Sequence, residues 1–423
     1  MKFPALLAAL FLLCVGTLLL SSCSEAEGEV ITLYVYNWGE YISDGSEGTI
    51  DVNAEFEAYC REELGLNVKV NYSTFSSNES MYAKISSGSA AYDVIIPSDY
   101  MIQRMVAEDL LQPLDLSLIP NYQYVDEAFK GENVYYEDDT DNVYSVPYFY
   151  GMVGVIYNTS IVHEDEENVG SWGLMWDEDY TGDILQFNNS RDAFGTALYY
   201  LGDDDGDGDF GINELSAESL PHWVEALDLL KKQKSVVQGY VMDEIFNKMK
   251  SGSAAVAAYY AGDYLSMYED NDQLAFFYPQ EGTNSYVDAM CVPAQAKNAE
   301  LAMHYINFMC REDIAVANAE YTYYASPLTS VRANADYQEC MSEVHEDAMD
   351  ILYGETAASV PTQAYMNLSP EGLSMLNELW EELKVESTIG DGIYIGCGVI
   401  LVALAALGIW QMLKKRRWAK LYD

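Results

Sequence analysis

Positive charge is what this sequence is short of. It carries 21 Lys and Arg against 68 Asp and Glu, a formal net charge of −47 over 423 residues. Lys2 and five basic residues after position 413 take a share of that small total, leaving the rest of the chain only fifteen. A field of that sign repels nucleic acid and anionic lipid and draws cations towards it. Histidine is scarce as well: His163, His222, His304 and His345 stand far apart. No HExxH, no serine elbow and no phosphate-binding P-loop occurs, which removes the common signatures of hydrolysis and nucleotide chemistry. Cys-x-x-Cys is absent, and no repeats or long linkers interrupt the body. An enzyme and a nucleic-acid binder are both disfavoured.

The cysteines and the long apolar runs bear on the compartment. Lys2 is followed by an apolar run over 5–20 and then by Leu20-Ser21-Ser22-Cys23. That order reads as an export signal over 1–22. Its last four residues resemble the bacterial lipobox, in which Cys23 is lipidated and becomes the mature N-terminus; ordinary cleavage after small residues is the alternative. Residues 393–413 carry no charge and are long enough to cross a bilayer as a helix. Lys414-Lys415-Arg416-Arg417 follows directly. Positive-inside logic puts the basic tail 414–423 in the cytoplasm and the body on the extracytoplasmic side of the cell membrane. With Cys14, Cys23 and Cys397 in these ends, Cys60, Cys291, Cys310 and Cys340 remain in the exported body. Four cysteines allow three pairings, and the sequence chooses none of them.

What is abundant is aromatic, with 35 Tyr among the residues. The stretch Leu33-Tyr34-Val35-Tyr36-Asn37-Trp38-Gly39-Glu40-Tyr41 shows how these rings are used. A strand burying Leu33 and Val35 delivers Trp38, Glu40 and Tyr41 to its C-terminal end, where ligands sit in open α/β sheets. An aromatic face beside an acid suits an organic ammonium; a tight turn whose rings cap the core is the plainer alternative. Downstream, strand-like and helix-like segments alternate. Strands are expected at 31–36, 66–72, 92–97, 152–157, 182–185 and 254–260, with another after Ser285-Tyr286-Val287-Asp288-Ala289-Met290. Helices are expected at 49–64, 76–86, 101–108, 299–310 and 374–383, with one starting at Ser171-Trp172. That repetition predicts an α/β fold with parallel sheets covered by helices.

Six stretches together carry a specific resemblance: LYVYNWGEY (33–41), TFSSNESMYAKI (74–85), YDVIIPSDY (92–100), YSVPYFYG (144–151), YPQEGTNSYVDAMCVPAQAKN (278–298) and YINFMCREDIA (305–315). Residues 29–384 resemble the spermidine/putrescine-binding proteins of bacterial ABC uptake systems. The resemblance implies a two-lobed periplasmic-binding-protein fold with hinge crossovers, lobe one being 29–143 plus 287–335 and lobe two 144–286 plus 336–385. It also implies a polyamine ligand, ABC permease subunits as partners, and no cofactor.

Carried over by motif, the resemblance makes Trp38 and Tyr41 aromatic walls, places Gly39 between them, and makes Glu40 a candidate acid. Ser98 and Tyr100 supply hydroxyls, and Asp192 an acid for a terminal ammonium. Tyr260 and Asp263 match the W-x-G-D corner of putrescine-type members. Tyr286 and Asp288 match an aromatic-x-Asp pair whose Asp meets an amine near the middle of the cleft, and Tyr324 matches a wall tyrosine. Departures are informative. Asn189 stands where spermidine binders carry a second acid, which with Asp263 tilts the expectation to putrescine over spermidine. Asn367 is the nearest match to a late Gln of the family. The remaining alternatives are the same fold holding another small cationic solute, or a calcium-stabilised surface sensor or adhesin.

One motif lies outside that family pattern. Residues 203–214, within lobe two, read DDDGDGDFGINE and fit the EF-hand pattern D-x-D-x-D-G-x5-E. Asp203, Asp205, Asp207 and Glu214 offer carboxylates and Asp209 its carbonyl, Gly208 makes the turn, and Phe210 packs inward. Calcium needs six to eight such oxygens. A structural calcium is the expectation, and an acidic solvated loop the alternative.

Overall fold

The computed structural model of the chain describes residues 29–130, 142–203, 208–354 and 356–385. The export signal, Cys23, the segment 393–413 and the tail 414–423 lie outside the described residues. Among those described, no helix is long and apolar enough to cross a membrane.

Ten strands form the frame: β1 (Ile31–Trp38), β2 (Val68–Phe75), β3 (Val94–Ile95), β4 (Ser145–Asn158), β5 (Ile184–Phe187), β6 (Val237–Val241), β7 (Val256–Tyr260), β8 (Leu274–Phe277), β9 (Thr283–Cys291) and β10 (Thr362–Ala364). Their order is β2-β1-β3-β9-β4-β7-β5-β6, with β10 on β9 and β8 on β4. On one side β1 runs parallel to β2 and β3; on the other, β5 runs parallel to β6 and β7. Two strands join these halves. β4 pairs with β9 antiparallel, from Ser145 opposite Cys291 to Met152 opposite Ser285, and then continues against β7 and β8. The molecule is two α/β lobes sharing a pair of crossover strands. Parallel strands with helices on their faces are buried on both sides.

Local chemistry explains the elements. In β1, Leu33 and Val35 are fully buried, and burying such side chains stabilises by about 1.5–3 kcal/mol each. Against the same lobe packs the helix Val52–Tyr59, capped by the Asp51 side chain. It places Phe56 between the rings of Tyr305 and Phe308. Asp93 ties the lobe together: it accepts the backbone amides of Tyr34, Lys297 and Asn298 at 2.8–3.0 Å. This acid is fully used in structure.

Several expectations shift in detail. The strand expected at 152–157 is the second half of a fourteen-residue strand. Its first half contains Pro147, which a central strand tolerates only at an irregularity, and the register does slip between Pro147 and Phe149. The stretch Ser285–Met290 does not precede a strand but lies inside β9. The segment from Trp172 is a single 3-10 turn, Trp172–Trp176. Cys60, Cys291, Cys310 and Cys340 are all unpaired thiols, three of them buried.

Of the acidic loop 203–214, residues 204–207 lie outside the described residues, Asp205 and Asp207 among them. Gly208 takes φ +90, the turn conformation expected of it, and its amide donates to Asp203 at 2.6 Å. Phe210 is buried with its ring 4.6 Å from that of Tyr199. The Asp209 carboxylate accepts from the Gly211 amide and from Gln363, and the exposed Glu214 accepts from Ser216. Among the described residues no three metal-ligating side chains are gathered together.

Candidate functional site

The C-terminal ends of β1, β3, β5 and β7 converge with the middle of β9 on one cleft of about 840 Å³ of empty space, its solvent-filled mouth included. Of the thirteen residues expected to hold a ligand, all but Glu40 line it. β1 ends at Trp38, and the buried Asn37 then closes the turn, accepting from the Trp38 amide and donating to the Tyr41 carbonyl. Tyr148 on β4 donates to that same carbonyl at 2.8 Å. The turn so fixed sends Tyr41 inward and leaves Glu40 exposed, with φ +51. Glu40 is therefore corrected from a cleft acid to a residue of the rim. Asn367 does not line the cleft either; its amide donates to Gln103.

Four buried carboxylates organise the interior: Asp99, Asp192, Asp263 and Asp288. Three of them sit in the first turns of helices that follow β3, β5 and β7, namely Asp99–Ala107, Ser190–Leu201 and Ala261–Asp270. A helix N-terminus ordinarily attracts anions. Here the chain's own acids occupy those ends, so the cleft presents negative oxygen to a visitor instead. Asp288 comes from β9 and is centred between hydroxyls: Ser98 donates to one oxygen and Tyr41 to the other, both at 2.6 Å. Asp192 accepts from the Asn189 amide at 2.7 Å and from Tyr260 at 2.8 Å. Asp263 accepts from Tyr324 at 2.8 Å. Asp99 accepts the backbone amides of Tyr100 and, across to β9, Val287.

Burial sets the electrostatics. It pushes Asp288 up to about 6 against the pull of its Ser98 and Tyr41 hydrogen bonds, with the charge of Asp192 adding to the rise. Burial likewise pushes Asp263 up to about 8, opposed by the Tyr324 bond and reinforced by Asp243, Glu40 and Asp288. Asp99 also reaches about 8, and Asp192 is raised for the same first reason. The Arg191 charge pulls Asp99 and Asp192 the other way without reversing the rise. Removing a charge from water without a counter-charge is costly, and a carboxyl so placed takes up a proton.

Rings fill the spaces between the acids. Tyr41 meets Tyr324 edge to face at 4.8 Å, and Tyr260 meets Tyr286 at 5.2 Å. Trp38 packs on Phe75 at 4.5 Å. Gly262 is required by this packing, because a Cβ there would lie 2.8 Å from the Tyr324 ring. Asn189 does not face a ligand with charge. It caps the helix Ser190–Leu201 by accepting from the Asp192 amide, and its own amide is spent on the Asp192 carboxylate.

The structure adds residues the motifs did not single out: Glu79, Asp99, Arg191, Asp243, Tyr259 and Tyr365 also line the cleft. Asp99 stood between two residues taken as hydroxyl donors, in a helix first turn as Asp192 is. Glu79 lies inside the quoted stretch 74–85 and accepts from Tyr100. Asp243 and Tyr365 come from distant parts of the chain with no local pattern to mark them.

Residues 54–341 match the family model of the bacterial extracellular solute-binding proteins. The chain belongs to that family. This solute-binding protein is 30% identical over 346 residues to the spermidine/putrescine-binding periplasmic protein of Salmonella typhimurium, covering 81% of this chain and 91% of the relative. It is 28% identical over 326 residues to the putrescine-binding periplasmic protein PotF of Escherichia coli, covering 74% and 82%. Among solved structures, the putative spermidine/putrescine ABC transporter from Listeria monocytogenes superposes with a TM-score of 0.70 at 33% identity, covering 84% of this chain and 98% of that one. The expected resemblance, the two-lobed fold and a binding protein rather than an enzyme all agree with these findings.

Proposed function

We propose that this solute-binding protein is the polyamine receptor of an ABC uptake system, with putrescine as its favoured ligand and spermidine a longer alternative. The observation that carries the reading is the set Asp192, Asp263 and Asp288, buried, distributed along one cleft and separated by aromatic rings. A polyamine is a thin hydrocarbon bearing an ammonium every few carbons, so it needs acids at intervals and flat faces between them. The relatives named for spermidine and putrescine support the same class. Asn189 favours the diamine, since it stands where spermidine binders carry a second acid and its amide is already engaged by Asp192.

Ser98 and Tyr41 reach Asp288 from one lobe, while Asp192 and Asp263 stand on the other. A ligand touching both lobes favours the closed form by its differential contacts. In this reading the loaded receptor docks on permease subunits. The body lies outside the membrane, and lipidated Cys23, the segment 393–413 or both tether it, raising its effective concentration at the permease. Calcium in the loop 203–214 belongs to the proposal as a structural ion, supported by the Gly208 turn and the inward Phe210. The test is a thermal-shift screen of the exported body with putrescine, cadaverine, spermidine and spermine, beside a neutral sugar and an amino acid. Stabilisation by the amines alone supports the reading; stabilisation by the sugar or amino acid and not by any amine overturns it.

A further inference from the structure

Beside the cleft, hydrogen bonds run from one lobe to the other between groups that do not line it. Gln103 lies on the helix Asp99–Ala107, one turn beyond Tyr100. That helix buries Met101, Ile102 and Met105 in a core with Tyr36 of β1 and Phe75 of β2, so it belongs to lobe one. Met366 and Asn367 follow β10, which pairs with the lobe-two end of β9, and are fastened to lobe two. Asn213 grips the segment twice, accepting the Met366 backbone amide at 2.7 Å and donating to the Ala364 carbonyl at 2.9 Å. Arg191 donates to the Met366 carbonyl at 3.2 Å. Gln103 meets this segment with both ends of its side-chain amide. Its Oε1 accepts the Asn367 backbone amide at 2.8 Å, and its Nε2 donates to the Met366 sulfur at 3.5 Å. Gln103, Met366 and Asn367 all stand outside the cleft lining.

A bond between lobes exists only while the lobes are together. A side chain that makes one without touching the ligand stabilises the closed form equally for every ligand, whereas the cleft acids and rings discriminate among them. Tyr324 also reaches across to Asp263, but from within the cleft, where any change alters the ligand's own surroundings. We propose that Gln103 is a closure latch: a positioning residue that holds the lobes together through the Met366-Asn367 segment. It sets how tightly and how long the receptor keeps its amine, without choosing which amine. Apparent affinity scales with the fraction of molecules in the binding-competent form, so a lost latch bond is felt as the same factor on each ligand. The latch must break before the ligand leaves, which places the effect in the dissociation rate.

The inference rests on the two-lobed receptor reading and deepens it. Its test is Gln103→Met in the exported body, which keeps side-chain length and helix preference while removing both amide groups. Calorimetry and stopped-flow dissociation with putrescine and spermidine are compared with the wild type, and a melting curve checks the fold. The dissociation constant should rise about three- to tenfold for both amines, the worth of one neutral hydrogen bond. Their ratio should stay unchanged, and the off-rate should carry the rise. Asn213→Ala, which frees the same segment on the other lobe, should weaken both amines alike. Combined with Gln103→Met it should add little, because both act through one contact; fully additive losses would overturn the latch. Unchanged affinity in a folded Gln103→Met protein, or a loss confined to one amine, overturns it and leaves the polyamine reading intact. If neither amine binds the wild type, the polyamine reading falls and small-angle scattering decides the latch alone. A larger radius of gyration in Gln103→Met then upholds it, and an equal one overturns it.

Discussion

Replacing Asp288 by Asn is the sharpest perturbation of the cleft, because it deletes a charge and leaves the shape. The carboxylate is 5% exposed, takes two 2.6 Å bonds from Ser98 and Tyr41, and has no basic side chain paired with it among the salt bridges of the described residues. With its pKa pushed up to about 6, it is mostly ionised at pH 7.5, so an arriving ammonium finds a charge at little proton cost. Removing one partner of a buried ion pair costs about 3–5 kcal/mol. At about 1.4 kcal/mol per factor of ten, the dissociation constant for putrescine should rise by between about a hundredfold and a thousandfold or more. The free protein should behave in the opposite sense. The substitution removes an uncompensated buried charge, so the ligand-free variant should melt at the same temperature as the wild type or higher. Titration calorimetry and a melting curve on the same sample separate loss of binding from loss of fold. A dissociation constant within about threefold of wild type in a folded Asp288→Asn protein would refute the assignment of this carboxylate to an ammonium.

Other consequences follow from the same geometry. Asp99 and Asp263 both lie at about 8 in the fold, far above the ordinary carboxylate near 3.9. The folded ligand-free protein therefore holds more protons than the unfolded chain between about pH 4 and pH 8, and its stability should fall as pH rises through that window. Melting temperatures at pH 5 to 8 should decline without ligand, and Asp263→Asn should flatten the slope; an equal slope in the variant would contradict the assignment. Gly262→Ala forces the Tyr324 ring aside and with it the hydroxyl on Asp263. Putrescine affinity should drop by about tenfold, as for a lost hydrogen bond to a charged group, which calorimetry would detect. Calcium added to chelator-treated protein should raise the melting temperature through the loop 203–214, and Glu214→Gln should reduce the shift; no shift in wild type would remove calcium from the proposal.

Much of this architecture was legible because strand and helix periods are distinct and the acids fall at strand ends. Leu33 and Val35 alternate as a buried strand must, and the cleft residues Asp192, Asp263 and Asp288 sit inside recognisable motifs. Pro147 hid the first half of β4, since the register slip that accommodates it is a tertiary feature. β9 was misplaced because its polar residues Thr283, Asn284 and Ser285 break the apolar pattern, although Thr283 and Asn284 are buried in the crossover pair. Glu40 was misassigned for a conformational reason: a positive φ turns it out of the cleft between two residues that do face it. Asp99 stood as an acid at a strand end beside expected ligands, Arg191 was adjacent to one but carried no signal of its own, and Asp243 and Tyr365 arrive through folding alone.

The account centres on a polyamine held between two lobes by Asp288 and its neighbouring acids. The most direct measurement is a crystal structure of the exported body grown with putrescine. It should show one ligand nitrogen within hydrogen-bond distance of the Asp288 carboxylate, the other on Asp263 or Asp192, and the methylenes lying against Trp38 and the tyrosine rings. A ligand bound outside this cleft, or an anion seated against Asp288, would contradict it.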